Sequence, residues 1–121
     1  MFQELTLVGT LGRDPELRYT QSGKEVVSFS LAVRDYDKST IWFNCQAWEK
    51  TGEAVKSYAQ KGMKLLVVGR LRHDEKGNPR MFDWNGQQTA RFDVNVDKVL
   101  LLGGGGSKAP QETEQEDDIA F

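Results

Sequence analysis

One cysteine and one histidine among 121 residues remove most reactive chemistry at the outset. Cys45 has no partner for an intrachain disulfide, and its setting in an apolar stretch marks it as a small core residue. His73 has no cysteines or carboxylates at zinc-ligand spacing around it and reads as a surface histidine. No Ser/His/Asp or Cys/His set can be assembled for nucleophilic catalysis, and no glycine-rich loop ends in a phosphate-binding lysine motif. No apolar run approaches the ~20 residues of a membrane-spanning helix, and the start, Met1-Phe2-Gln3-Glu4-Leu5, lacks a basic leader. These absences argue against an enzyme, a metal or cofactor protein and a membrane protein. They leave a single cytoplasmic domain that works by binding.

The net charge of -2 conceals two opposite regions. Through Leu102 there are 15 Lys and Arg against 13 Asp and Glu, whereas from Gly103 onward there is 1 Lys against 5 acids. The body is therefore mildly basic, and the acidity belongs to the tail.

The stretch Thr40-Ile41-Trp42-Phe43-Asn44-Cys45-Gln46-Ala47-Trp48 has no breaker and is rich in β-favouring residues, so it reads as a strand. Side chains alternate across a strand, which puts Phe43, Cys45 and Ala47 on one face and Trp42, Asn44, Gln46 and Trp48 on the other. The first set suits a core. The second, two indoles separated by two amides, suits a platform for flat rings, with the indoles about 20 Å apart along the strand. On this stretch alone the alternative stands that one Trp anchors the core and the other is a half-buried surface residue.

Around that strand the chain reads as β throughout. A glycine-containing first strand spans 5–12, a short extended piece spans 17–20, and a second strand spans 24–34, with Val27, Phe29, Leu31 and Val33 on its core face. A polar loop at 35–39 carries Tyr36. The one helical signal, 50–61, has Ala54, Val55, Tyr58 and Ala59 at helical spacing, Thr51 as a possible N-cap and Lys61-Gly62 as its stop. A fourth strand over 63–72 ends by aiming Arg70 and Arg72 to one side, although both also fit as ordinary solvated residues. An irregular segment, 73–90, has turns at Lys76-Gly77-Asn78-Pro79 and Asn85-Gly86, with Arg80, Phe82 and Trp84 between them. In a fifth strand, 91–102, Phe92, Val94 and Val96 form the inner face and Asp93, Asn95 and Asp97 the wet one. Five strands with one helix between the third and fourth give an all-β fold of the OB type, a five-stranded barrel.

Residues 103–115 break composition with four glycines and then Ser, Pro, Gln, Thr and Glu, the pattern of a disordered linker spanning about 20 Å. An acidic tip, 116–121, follows. Ile119 and Phe121 after Asp117 and Asp118 suit docking into a basic-rimmed apolar pocket on a partner.

These residues together resemble the bacterial single-stranded DNA-binding proteins. The resemblance is carried by residues 7–19 (LVGTLGRDPELRY), by 29–33 (FSLAV), by the Trp42 to Trp48 strand, by Tyr58 with Lys61-Gly62, by 68–71 (VGRL) and by the tip ending in Phe121. It implies an OB fold that assembles as a homotetramer, wraps single-stranded DNA and recruits replication and repair proteins through the tip. It also implies base stacking on Trp42 and Trp48, phosphate contacts from Lys50, Lys61 and Arg72, and a stacking role near Tyr36. Arg70 and Arg80 join the phosphate-contact candidates as basic residues of the same region. The match departs from the family at several points. His73-Asp74-Glu75-Lys76 stands where an aromatic and basic residues often occur, which makes Phe82 and Trp84 candidates for the missing stacking role. Glu4 and Asn44 replace frequent basic residues, the linker is short, and Ala120 stands where proline is typical. No cofactor is expected, and the implied location is the cytoplasm, with the nucleoid. Other readings are a single-stranded RNA-binding or replication-restart accessory module of the same fold, or a protein-interaction adaptor.

Overall fold

The computed structural model describes residues 1–104. The expected linker beyond that point and the tip residues Asp117, Asp118, Ile119 and Phe121 lie outside the described residues.

Among the described residues, eight strands and one helix follow in the order β1 (Leu5–Leu11), β2 (Glu16–Tyr19), β3 (Glu25–Arg34), β4 (Thr40–Trp48), α1 (Glu49–Tyr58), β5 (Met63–Leu71), β6 (Met81–Trp84), β7 (Gln87–Ala90) and β8 (Phe92–Gly104). Five of them close a barrel. β1 pairs antiparallel with β5 along Leu5 to Thr10, and its last residues, Thr10 and Leu11, also pair with β3. β3 pairs antiparallel with β4, β4 runs parallel to β8, and β8 returns antiparallel to β5. The helix lies between the third and fourth barrel strands, as an OB-type barrel requires. β2 adds an edge beside β3, and β6 and β7 form a separate two-stranded arm inserted between β5 and β8.

Period-two alternation builds the interior. Leu7 and Leu11, Val27, Phe29 and Leu31, Phe43, Cys45 and Ala47, Leu65 and Val67, and Val94 and Val96 all point inward and form one cluster. Closure needs a tight bend where β5 meets β8, and there the register shifts between Val68 and Gly69. A Cβ on Gly69 would collide with the backbone carbonyl oxygen of Asn95, so the strands approach this closely only because residue 69 has no side chain.

Several local expectations are corrected. The helix begins at Glu49, with Trp48 as its N-cap and no side-chain cap, so Thr51 lies inside its first turn. Its buried face is Gly52 and Val55, continued by Ala59 just past its end; Ala54 and Tyr58 are exposed, because the helix crosses β3 and β4 on the side that Gly52 opens. The helix stops at Tyr58, and Lys61-Gly62 belongs to the turn that opens β5, where the Gly62 N–H donates to the Leu11 carbonyl. Segment 73–90 is more regular than its sequence suggests: Asn85 and Gly86, both at positive φ, join β6 to β7 in the two-residue turn that hairpins favour.

Candidate nucleic-acid interface

β4 carries the exposed row expected of it. Phe43, Cys45 and Ala47 are buried, whereas Trp42 is 52% exposed and Asn44, Gln46 and Trp48 are half-buried. Neither indole is sealed in the barrel. On β3, Ser30 lies opposite Asn44 and Ser28 opposite Gln46, so hydroxyls and amides floor the space between the indoles. At one end, a Cβ on Gly12 would lie 2.6 Å from the Trp42 ring, so the indole rests against backbone on that side. At the other, the Trp48 indole N–H donates to Asn95 Oδ1 at 3.4 Å, which ties the ring to β8.

Three concavities adjoin this row. Trp42, Asn44, Phe82, Arg91 and Phe92 line a groove of about 430 Å³ at one end. Trp48 shares the opposite groove, about 700 Å³, with Lys24 and Lys50 but also with Glu25, Glu49 and Glu53. Between them lies a cavity of about 170 Å³ whose floor includes Ser28, Ser30, Asn44 and Gln46 and whose walls carry Arg13, Arg18, Arg72 and Arg91, with one carboxylate, Asp93. Four guanidinium groups around polar side chains form a surface suited to an anionic polymer with flat, hydrogen-bonding rings.

Asp93 corrects the reading of the last strand. It does face outward with Asn44, but it is only 2% exposed, because Arg80 and Arg91 cover it, Arg80 Nε donating to Oδ2 at 2.9 Å and Arg91 Nη2 at 3.1 Å. Phe92 inverts the expectation as well. Its ring stacks obliquely on Phe43 at 5.5 Å yet remains exposed, because the strand begins at the open end of the barrel.

The other candidate residues are dispersed. Tyr36 stands fully exposed in the β3–β4 turn, beyond the Trp42 end of the row. Phe82 lies in the Trp42 groove with the Arg91 guanidinium 5.0 Å from its ring centre, a cation–π contact, while Trp84 is 62% exposed near the tip of the arm. Lys50 flanks Trp48, but Lys61 belongs to the turn beside Asp14, which accepts its backbone N–H. Arg70 pairs with Asp97 through two hydrogen bonds of 3.2 and 3.0 Å, and these raise its already high pKa. Arg72 behaves differently. Burial, and then the nearby Arg80, lower its pKa, and among the described residues its guanidinium has no hydrogen-bonded or ionic partner. Arg13, Arg18 and Arg91 escape a reading of the sequence because each lies just off a strand or on an edge, and only closure of the barrel turns them toward β4.

The geometry defines a class: an OB-type barrel that presents an aromatic and cationic face. The family model described as "Single-strand binding protein family" matches residues 2–102. The chain belongs to that family. It is 42% identical over 78 residues to the single-stranded DNA-binding protein of Enterococcus faecalis, a match covering 60% of this chain and 42% of that one. It is 30% identical over 134 residues to that of Xylella fastidiosa, covering 97% and 79% respectively. With single-stranded DNA-binding protein A of Bacillus subtilis the identity is 34% over 116 residues, covering 88% and 64%. The chain thus spans under two thirds of the length of two of these three relatives.

Directly behind the platform, Cys45 is 1% exposed, and burial, assisted by the negative charge of Asp93, pushes its thiol up to about 12. Only the thiolate reacts with alkylating agents or disulfides, and it forms as pH rises through that value. In the folded protein at about pH 8, Cys45 should therefore resist iodoacetamide and aromatic disulfides, and it should react fully in denaturant, as thiol titration under both conditions would reveal. Rapid labelling of the native chain would show that the strand opens.

Proposed function

We propose that the protein binds single-stranded DNA without regard to sequence and shields it during replication, recombination and repair. The observation that carries this reading is the Trp42 indole, braced by Gly12 on one side and more than half exposed, in line with Trp48 across a half-buried polar floor. Every base has a π face, so stacking on Trp42 or Trp48 works for all four and contributes about 1–3 kcal/mol per base. Tyr36, Phe82 and Trp84 extend the aromatic surface beyond β4.

Phosphate contacts come from Lys50, Lys61 and Arg72, joined by Arg13 and Arg18 of the central cavity, while Arg91, like Arg80, is shared with Asp93. Arg70 and Arg80 contribute as charges already shared with Asp97 and Asp93. Each phosphate neutralised adds about -0.7 to the log–log salt slope for a single strand. Duplex DNA keeps its base faces stacked inside and gains only the electrostatic contribution, which is the origin of strand selectivity.

The protein acts as a homo-oligomer, with a tetramer the expected state. Supporting this, Val8, Leu66 and Leu100 form a row across the outer face of β1, β5 and β8, with Val8 and Leu100 more than two fifths exposed. Several protomers along one strand multiply the few rings that each offers. Asp117, Asp118, Ile119 and Phe121 recruit replication and repair proteins.

Trp42→Ala should weaken binding to oligo-dT by about 1–3 kcal/mol, roughly 5- to 150-fold, in a fluorescence titration. Equal affinity in the variant would remove the platform from the mechanism, and preference for oligo-U or duplex over oligo-dT would redirect the assignment. Light scattering should return four times the 13.7 kDa chain mass; a monomer at micromolar concentration contradicts the assembly. Deleting residues 116–121 should abolish capture of partners while oligo-dT affinity holds or rises, because an acidic segment competes with phosphate. Weaker DNA binding by the shortened chain would count against a separate docking role.

A further inference from the structure

We infer that Asp93 is a built-in counter-ion that holds Arg80 and Arg91 back from the DNA phosphates and fixes the β6–β7 arm beside Trp42. The inference rests on the single-stranded DNA reading of this face. Arg80 immediately precedes β6 and Arg91 immediately follows β7, so the two guanidinium groups on Asp93 Oδ2 sit at the two roots of the arm. The Arg91 backbone N–H donates to the Arg80 carbonyl at 3.0 Å and closes the hairpin at its base. One carboxylate thus clamps both ends of the insertion. Its backbone is held as well, since the Asp93 carbonyl accepts from the Arg72 N–H at 2.8 Å.

The charges around Asp93 do not balance. Arg72, Arg80 and Arg91 surround a single carboxylate, and repulsion from Arg80 and Arg91 acts on the Arg72 guanidinium. Asp93 satisfies only two of the three, which leaves Arg72 as the one of them without an ionic partner among the described residues, facing the central cavity alongside Arg13 and Arg18. Arg91 is held on its other side by the Phe82 ring. The Oδ1 atom of Asp93 and the Nε of Arg91 are both buried without a hydrogen-bond partner, so the clamp is under-satisfied as it stands. A phosphate in the cavity competes with Asp93 for the Arg91 guanidinium that lines it, and Arg80 is held on the same carboxylate, which therefore limits how many counter-ions binding can release.

The salt dependence of oligo-dT binding by the full chain, measured across roughly 50–200 mM salt, tests this. Asp93→Asn removes the internal anion, and the log–log slope should steepen by about 0.7 for each guanidinium freed, up to about 1.4. Asp93→Glu should keep the slope of the unaltered chain. A folded Asp93→Asn protein with an unchanged or shallower slope overturns the inference, since a purely structural carboxylate would lower affinity without adding phosphate contacts. If Asp93→Asn does not fold, Arg72→Gln and Arg91→Gln decide: loss of Arg72 should flatten the slope by about 0.7 and loss of Arg91 by less than half as much. Equal flattening overturns the inference. Failure of the unaltered chain to bind oligo-dT would sink the DNA reading itself and this inference with it, an outcome distinct from binding with a slope that ignores Asp93.

Discussion

The burial of Phe43, Cys45 and Ala47 on one side of β4 is the constraint on which the interface depends. A strand cannot slip by one residue without exchanging its faces, so sealing those three into the core commits Trp42, Asn44, Gln46 and Trp48 to the outside. β4 is held on both flanks, by β3 for nine residues and by β8 for five. The platform is therefore as rigid as the barrel. A ring-stacking surface gains from that rigidity, because little side-chain freedom remains to be lost on binding.

Electrostatics on this face depends on position more than on total charge. The described body is only mildly basic, and several of its cations are spoken for: Arg70 by Asp97, Arg80 and Arg91 by Asp93, Arg18 by Glu16 at 3.5 Å. The Arg18 and Arg70 pairs are exposed and contribute little to stability. The Asp93 cluster differs because its carboxylate is out of contact with water, where an unpaired charge is costly and a paired one is tightly held. Arg72, partly buried and unpaired among the described residues, is the complementary case.

What can be read along the chain follows the range of the interactions. β4 is legible to its end residues because alternation over Thr40–Trp48 is a local pattern, and Asn85-Gly86 announces a turn through backbone preference, although not the two strands that flank it. For Asp93 the alternation is right and the expected exposure is wrong. Arg80, thirteen residues away, and Arg91 cover it, and no window along β8 contains that information. The helix face departs from its periodicity for a similar reason: Gly52 faces the barrel because Val27 and the Ala47 carbonyl approach there, a contact that helical spacing does not encode.

Strand periods, the order of a five-stranded barrel with one helix, and the aromatic face of β4 are all written in the linear chain, since each follows from the stereochemistry of a short stretch. Which charges work together is settled only in three dimensions. Closing the barrel brings Arg13, Arg18, Arg72 and Arg91 around one cavity from separate segments, and it places Asp93 beneath Arg80 and Arg91. Charge interactions act through space and depend on burial, so their partners are chosen when the chain closes and not before.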